Sequence, residues 1–148
     1  NDIQIKSPRA TIFSRLVEGR FPKWQEVIPK WQDATELELA VGPVFSAVRQ
    51  AAVVTSDESR GIDFSFTEGM LTLSGSTAEI GESNVRLPIT YEGASVTITL
   101  DHRFVTDFFK VLDPERSFTL QIRDAESPTY WQTDDGYGYV VMPLAKDR

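Results

Sequence analysis

The sequence predicts an α+β fold in which one β-α-β-β-β unit is written twice, and three observations carry that expectation. Apolar and polar residues alternate over residues 62–67, 70–74, 96–100 and 118–123, the period of strands with one buried face. Two other segments space their apolar residues at helical intervals. The same succession of strands follows each helical segment, with Leu39 and Leu100 at corresponding places in a repeat of roughly 60 residues that keeps almost no identities. Two helices packed by their apolar faces on antiparallel sheets satisfy this order.

In chain order, residues 3–6 and 11–17 alternate weakly and lie outside the doubled unit. Residues 21–33, with Pro22, Pro29 and frequent charges, read as a connector. The first unit opens with a strand at 37–41. Pro43 suits the first turn of a helix, where its missing N–H has no partner to lose. The helix is expected over 43–54, with Val44, Phe45, Val48, Ala51 and Ala52 on one face and Ser46, Arg49, Gln50 and Val53 opposite. Strands at 62–67, 70–75 and 85–91 follow, turned at Glu68-Gly69 and ended at Glu92-Gly93.

The second unit opens with the strand at 96–100, and Asp101 suits the N-cap of a helix over 101–112. Its expected buried stripe is Phe104, Val105, Phe108 and Leu112, and Arg103, Thr106 and Lys110 share the outward face near Asp107. After a turn at Asp113-Pro114 come strands near 117–123, 129–132 and 137–142, the last two joined through Asp134-Asp135-Gly136. The division that follows is 1–22 as the end of a preceding domain, 23–35 as an interdomain connector and 36–148 as the doubled domain. With Asn1 in place of an initiator Met and a strand pattern starting at residue 3, the chain reads as a fragment.

Composition narrows the functions open to such a fold. The chain has 148 residues, 41% hydrophobic and 25% charged, which is enough for one core and excludes a disordered or collagen-like chain. No run approaches the ~18 consecutive apolar residues of a membrane helix. The absence of Cys excludes disulfides, Cys-ligated zinc and a thiol nucleophile, and suits a reducing cytosol. Net charge is −7, but residues 1–33 hold six Lys and Arg against four Asp and Glu, so the acidity belongs to the rest. A broad basic surface for nucleic acid is thereby excluded, and any contact with DNA must be local or topological.

No constellation for catalysis stands out. His102 follows a capping Asp and lacks a nucleophile and an orienting acid in any readable pattern, so it reads as a residue of the helix start. Asp57-Glu58 and Asp134-Asp135 lack the spaced oxygen ligands of a calcium loop and read as solvated turns. No phosphate-cradling glycine loop occurs. No catalytic residue, metal site or cofactor is therefore expected. Arg49, Arg103 and Lys110 form weakly cationic helix faces on an acidic body, which fits loose, sequence-independent contact with a duplex or plain solvation. The run Tyr139-Val140-Val141-Met142-Pro143-Leu144 is either a last core strand stopped by proline or the wall of an adaptable apolar peptide groove beside a flexible charged tail, 145–148. A carbohydrate- or lipid-binding module using Trp24, Trp31, Tyr130 and Trp131 is a rival reading.

Three segments carry a family resemblance. Residues 14–30, SRLVEGRFPKWQEVIPK, resemble the junction between the second and third domains of the bacterial DNA polymerase III β subunit, the sliding clamp. Ala51-Ala52-Val53-Val54 with Ser59-Arg60-Gly61 is similar to the end of that family's first helix and the next strand start, and Val140-Val141-Met142-Pro143-Leu144 is similar to its C-terminus. The resemblance implies a DNA-clamp (processivity) fold, in a cytoplasmic, nucleoid-associated, non-catalytic processivity factor. It implies a head-to-tail homodimer ring around duplex DNA that binds short motifs of polymerase subunits, clamp loader and repair proteins. It further implies a peptide pocket from Pro22, Val27, Phe104, Val140, Val141, Met142, Pro143 and Leu144, DNA-facing Arg49, Arg103 and Lys110, and protomer contact through Val53 and Val54 at the exposed end of the first helix. Phe104 stands where the family often has Tyr, Glu26 where it often has Arg, and Asp101 where Asn is common, so the rim of the pocket is expected to differ.

Overall fold

The computed structural model describes residues 2–145. Its elements are β1 (Asp2–Lys6), β2 (Thr11–Arg15), β3 (Thr35–Ala40), α1 (Val41–Ala51), β4 (Gly61–Thr67), β5 (Met70–Thr77), β6 (Gly81–Pro88), β7 (Val96–Asp101), α2 (His102–Phe109), β8 (Ser117–Ile122), β9 (Thr129–Gln132) and β10 (Gly138–Val141). Short 3-10 turns lie at Trp24–Glu26 and Ala52–Val54.

The doubled unit is present, and its halves exchange strands. One antiparallel sheet runs β6-β5-β4-β7 and the other β10-β9-β8-β3, so the first strand of each repeat completes the sheet of the other. Equivalent backbone bonds mark the correspondence: the first residue of α1, Val41, donates its N–H to Arg116 O at 2.9 Å, and the first of α2, His102, donates to Arg60 O at 3.1 Å. Among the described residues β1 and β2 pair only with each other, and every side chain in them is exposed.

One core joins both sheets and both helices. At its centre Trp131, fully buried, stacks on Phe118 at 5.4 Å and meets Phe64, Phe108 and Phe109 edge-on. Its indole N–H donates to Thr129 Oγ1 at 2.8 Å, and that hydroxyl donates to Val141 O at 3.1 Å, so the polar end of the ring is satisfied inside the core. Phe45 of α1 stacks on Phe109 of α2 at 5.5 Å, which sets the helices side by side.

Several expectations change at the boundaries. α1 starts at Val41, ahead of Pro43, and ends at Ala51, with 52–54 as a tighter turn. α2 covers 102–109 rather than 101–112, with Asp101 as the expected N-cap accepting from Arg103 N at 3.0 Å. Its buried stripe is Val105, Phe108 and Phe109, and Phe104 lies outside it. β6 begins at Gly81, before the apolar alternation at Val85, and β2 ends at Arg15 rather than 17.

Candidate functional site

Three of the residues expected at a peptide pocket, Val27, Pro143 and Leu144, line two clefts that share one loop. The last strand alternates: Val141 turns into the core, Val140 is half-buried, and Met142 beyond it is exposed. Pro143 and Leu144 then leave the strand, and Leu144 N donates to Thr99 O of β7 at 2.8 Å. They line a cleft of about 450 Å³ with Thr97, Thr99, Ala125 and Glu126. Val27 lines a second cleft of about 490 Å³ with Ile28, Trp31 and Pro128.

The β8–β9 loop therefore contributes to both clefts, a role that sequence reasoning missed. Asp124 organises it, its Oδ1 accepting from the N–H groups of Glu126 at 2.9 Å and Ser127 at 2.6 Å and its Oδ2 from the Ser127 hydroxyl at 2.7 Å. These bonds, the Ser127 hydroxyl foremost, hold the Asp124 carboxyl below its usual range. The signal was available as Asp124-Ala125-Glu126-Ser127-Pro128, an Asx-turn pattern ended by proline.

Among the other pocket candidates, Val141 is a core residue and lines neither of these clefts, and Pro22 is exposed. Phe104 is 51% exposed, with the Arg103 guanidinium carbon 5.9 Å from its ring centroid. Glu26, at the rim of the second cleft, is paired with Lys23 at 2.8 Å.

The helix cations are exposed but differ in how free they are. Arg103 is held by Asp101, through Nε at 3.0 Å and Nη2 at 2.6 Å, and Lys110 pairs with Asp107 at 3.0 Å. Arg49 lies over the Phe45 ring at 5.9 Å and has no carboxylate partner among the described residues. The two valines after α1 separate as well. Val53 is 73% exposed, whereas Val54 is 8% exposed and packs near Gly75, so Val54 closes the core and does not present an apolar surface.

His102 is tied to structure, its Nε2 lying 3.1 Å from Thr55 Oγ1, and burial lowers its pKa. Among the described residues no group of three or more His, Asp or Glu is placed to hold a metal ion. Among the described residues no helix is long and apolar enough to cross a membrane. The aromatic platform of the rival reading does not assemble, since Trp131 is sealed in the core and Tyr130 is half-buried. Lys146, Asp147 and Arg148, most of the expected charged tail, lie outside the described residues.

Comparison with known proteins agrees with this architecture. The beta sliding clamp of Chlamydia muridarum is 28% identical over 142 residues, covering 96% of this chain and 38% of the relative. That of Pseudomonas putida is 30% identical over 139 residues, covering 90% and 36%. A crystal structure of a sliding clamp (DNA polymerase III subunit beta) from Bartonella birtlesii bound to griselimycin superposes with a TM-score of 0.87 at 24% identity, over 98% of this chain and 39% of that one. The chain thus spans little more than a third of the length of the curated relatives it matches. The sequence model of the family described as DNA polymerase III beta subunit, C-terminal domain, matches residues 25–145, and the chain belongs to that family.

Proposed function

We propose that this chain is the C-terminal domain of a sliding clamp, with residues 1–22 the end of a middle domain and 23–35 the connector. The observation that carries the reading is family membership over residues 25–145. As part of a homodimeric ring in the bacterial cytoplasm it would encircle duplex DNA and act as a processivity factor without chemistry or cofactors of its own. Processivity then comes from topology, which an acidic body tolerates because only the inner surface meets phosphate. Arg49, Arg103 and Lys110 are the proposed inner-face cations, Arg103 and Lys110 each also paired with a carboxylate, Asp101 and Asp107. Val53 is the proposed contact with the next protomer.

The C-terminal cleft lined by Pro143 and Leu144, together with the exposed Phe104 and Met142 and with Pro22 and Val27 at the junction, is proposed to bind short motifs of polymerase subunits, clamp loader and repair proteins. A proline and a leucine in a cleft, with a methionine next in sequence, are the adaptable apolar groups that capture extended peptides. The test is an amide NMR titration of the labelled chain with a Gln-Leu-x-Leu-Phe peptide. Shifts at Val27, Phe104 and residues 140–144 that vanish when Leu-Phe becomes Ala-Ala support the pocket; shifts elsewhere refute it. Retention of a ring-competent protein containing this chain on circular but not on linear DNA tests the topological part.

A further inference from the structure

β3 and β7 hold matching places at the ends of their sheets, yet only one of these edges is covered. In the β7 ladder His102 N bonds Arg60 O and Leu100 pairs with Ile62, so by alternation Thr97 and Thr99 turn their backbone groups away from β4. One of those groups is taken, because Leu144 N donates to Thr99 O at 2.8 Å. In β3 the same alternation sets Leu37 and Leu39 against β8 and turns the N–H and C=O of Glu36 and Glu38 outward. The repeat that carries His102 onto Val41 carries Thr99 onto Glu38. Among the described residues no backbone group bonds to that edge from outside.

We propose that the free edge of β3 binds an extended, lysine- or arginine-bearing segment of a partner polypeptide, which pairs with the backbone of Glu36 and Glu38 where Leu144 bonds to that of Thr99 at the matching edge. Main-chain pairing supplies the attachment, and side-chain charge selects the occupant. Both glutamates are exposed, and their carboxylates accept only neutral donors, Gln121 Nε2 at 2.9 Å and Ser117 Oγ at 2.9 Å. The neighbouring cations are already engaged, Arg116 by Asp134 and Asp135 and Arg123 by Asp33. Edge-to-edge pairing with a second copy of β3 would set glutamates against glutamates, a known device against self-association, so the surface favours a basic segment over another copy.

The inference rests on β3 alone and does not depend on the ring reading. The test adds an acetylated Lys-Val-Lys-Val-Lys peptide to the isotope-labelled chain. The expected result is shifts confined to the amides of Glu36, Glu38 and their neighbours, slower solvent exchange of the Glu36 and Glu38 N–H groups, and loss of both in the Glu36→Lys, Glu38→Lys double variant. A peptide of the same charge with alternate amides N-methylated is expected not to bind. Equal shifts with the N-methylated peptide, no shifts at millimolar peptide, or shifts centred on Thr97, Thr99 and Leu144 would each overturn the proposal. N-methylation leaves the protein untouched, so the outcome does not depend on the folding of a variant.

Discussion

Asp101 grips Arg103 from two residues away, with Oδ1 accepting from the Arg103 N–H at 3.0 Å and from Nε at 3.0 Å and Oδ2 accepting from Nη2 at 2.6 Å. The Arg103 hydrogen bond holds the Asp101 carboxyl below the ordinary carboxylate range. Its stabilising contribution is complete above the unfolded-chain value of ~3.9 and is lost as pH falls through the lower native one. Asp101→Asn keeps a capping oxygen but removes the charge. It should lower Tm at pH 7, and the gap from the parent chain should close in acid; a gap independent of pH would rule the charge out as its source.

His102 gives a second, separate pH window. Burial lowers its pKa, so the unfolded chain takes up a proton first and stability declines as pH drops below the unfolded value of ~6.5. His102→Gln can still reach Thr55 Oγ1 and should flatten this part of the profile, measured by denaturant titrations from neutral to mildly acid pH.

These details show what was legible in the sequence. Strands β4, β5, β7 and β8 were readable because each buries alternate side chains, as in Ile62, Phe64 and Phe66. The first half of β6 was not, since Glu82 and Asn84 are exposed and the half-buried Ser83 is held by its hydroxyl donating to Gln50 O at 3.0 Å, with no apolar side chain to mark the strand. Phe104 and Phe109 exchanged roles because both lie one residue from the stripe through Val105 and Phe108, and only tertiary contact with Phe45 and Phe118 chooses between them. For the candidate site, local order announced the cap at Asp101 and the bend at Pro143. The shared loop at Asp124 and the capture of Arg103 required the fold.

Val53 and Val54 should respond oppositely to charge. Val54→Asp buries a carboxylate in a closed site and should unfold the domain or lower its Tm steeply. Val53→Asp should leave the isolated chain folded and, in a ring-competent protein, weaken protomer association as read by analytical ultracentrifugation. Unchanged association would remove Val53 from the interface.

Arg49→Ala and Lys110→Ala should leave thermal stability nearly unchanged. In a ring-competent protein each should reduce the slope of log affinity for duplex against log salt by ~0.9 if it neutralises one phosphate. Arg103→Ala should cost stability as well, because it strips Asp101 of its partner. Slopes equal to the parent's would place these cations away from DNA.

Trp131→Ala should cost ~3–5 kcal/mol, the usual range for truncating a buried aromatic, because its ring meets Phe64, Phe108, Phe109 and Phe118. Gly75→Ala should also destabilise, since an added Cβ would come within 2.6 Å of Ala51 O, a backbone atom that cannot swing aside. Urea midpoints measure both.

The exchange of first strands between the repeats has a consequence for synthesis. Among the described residues β3 pairs only with β8, and the side-chain bond from Ser117 to Glu38 spans 79 residues. At ~5–20 residues per second the ribosome needs roughly 4–16 s to deliver that partner. During this interval Leu37 and Leu39 have no sheet to join, and neither repeat can close by itself. Nascent chains arrested before Ser117 should therefore be cut by protease at β3, and the domain should become resistant in one step once β8, β9 and β10, which bring Trp131 and Val141 to the core, have cleared the exit tunnel.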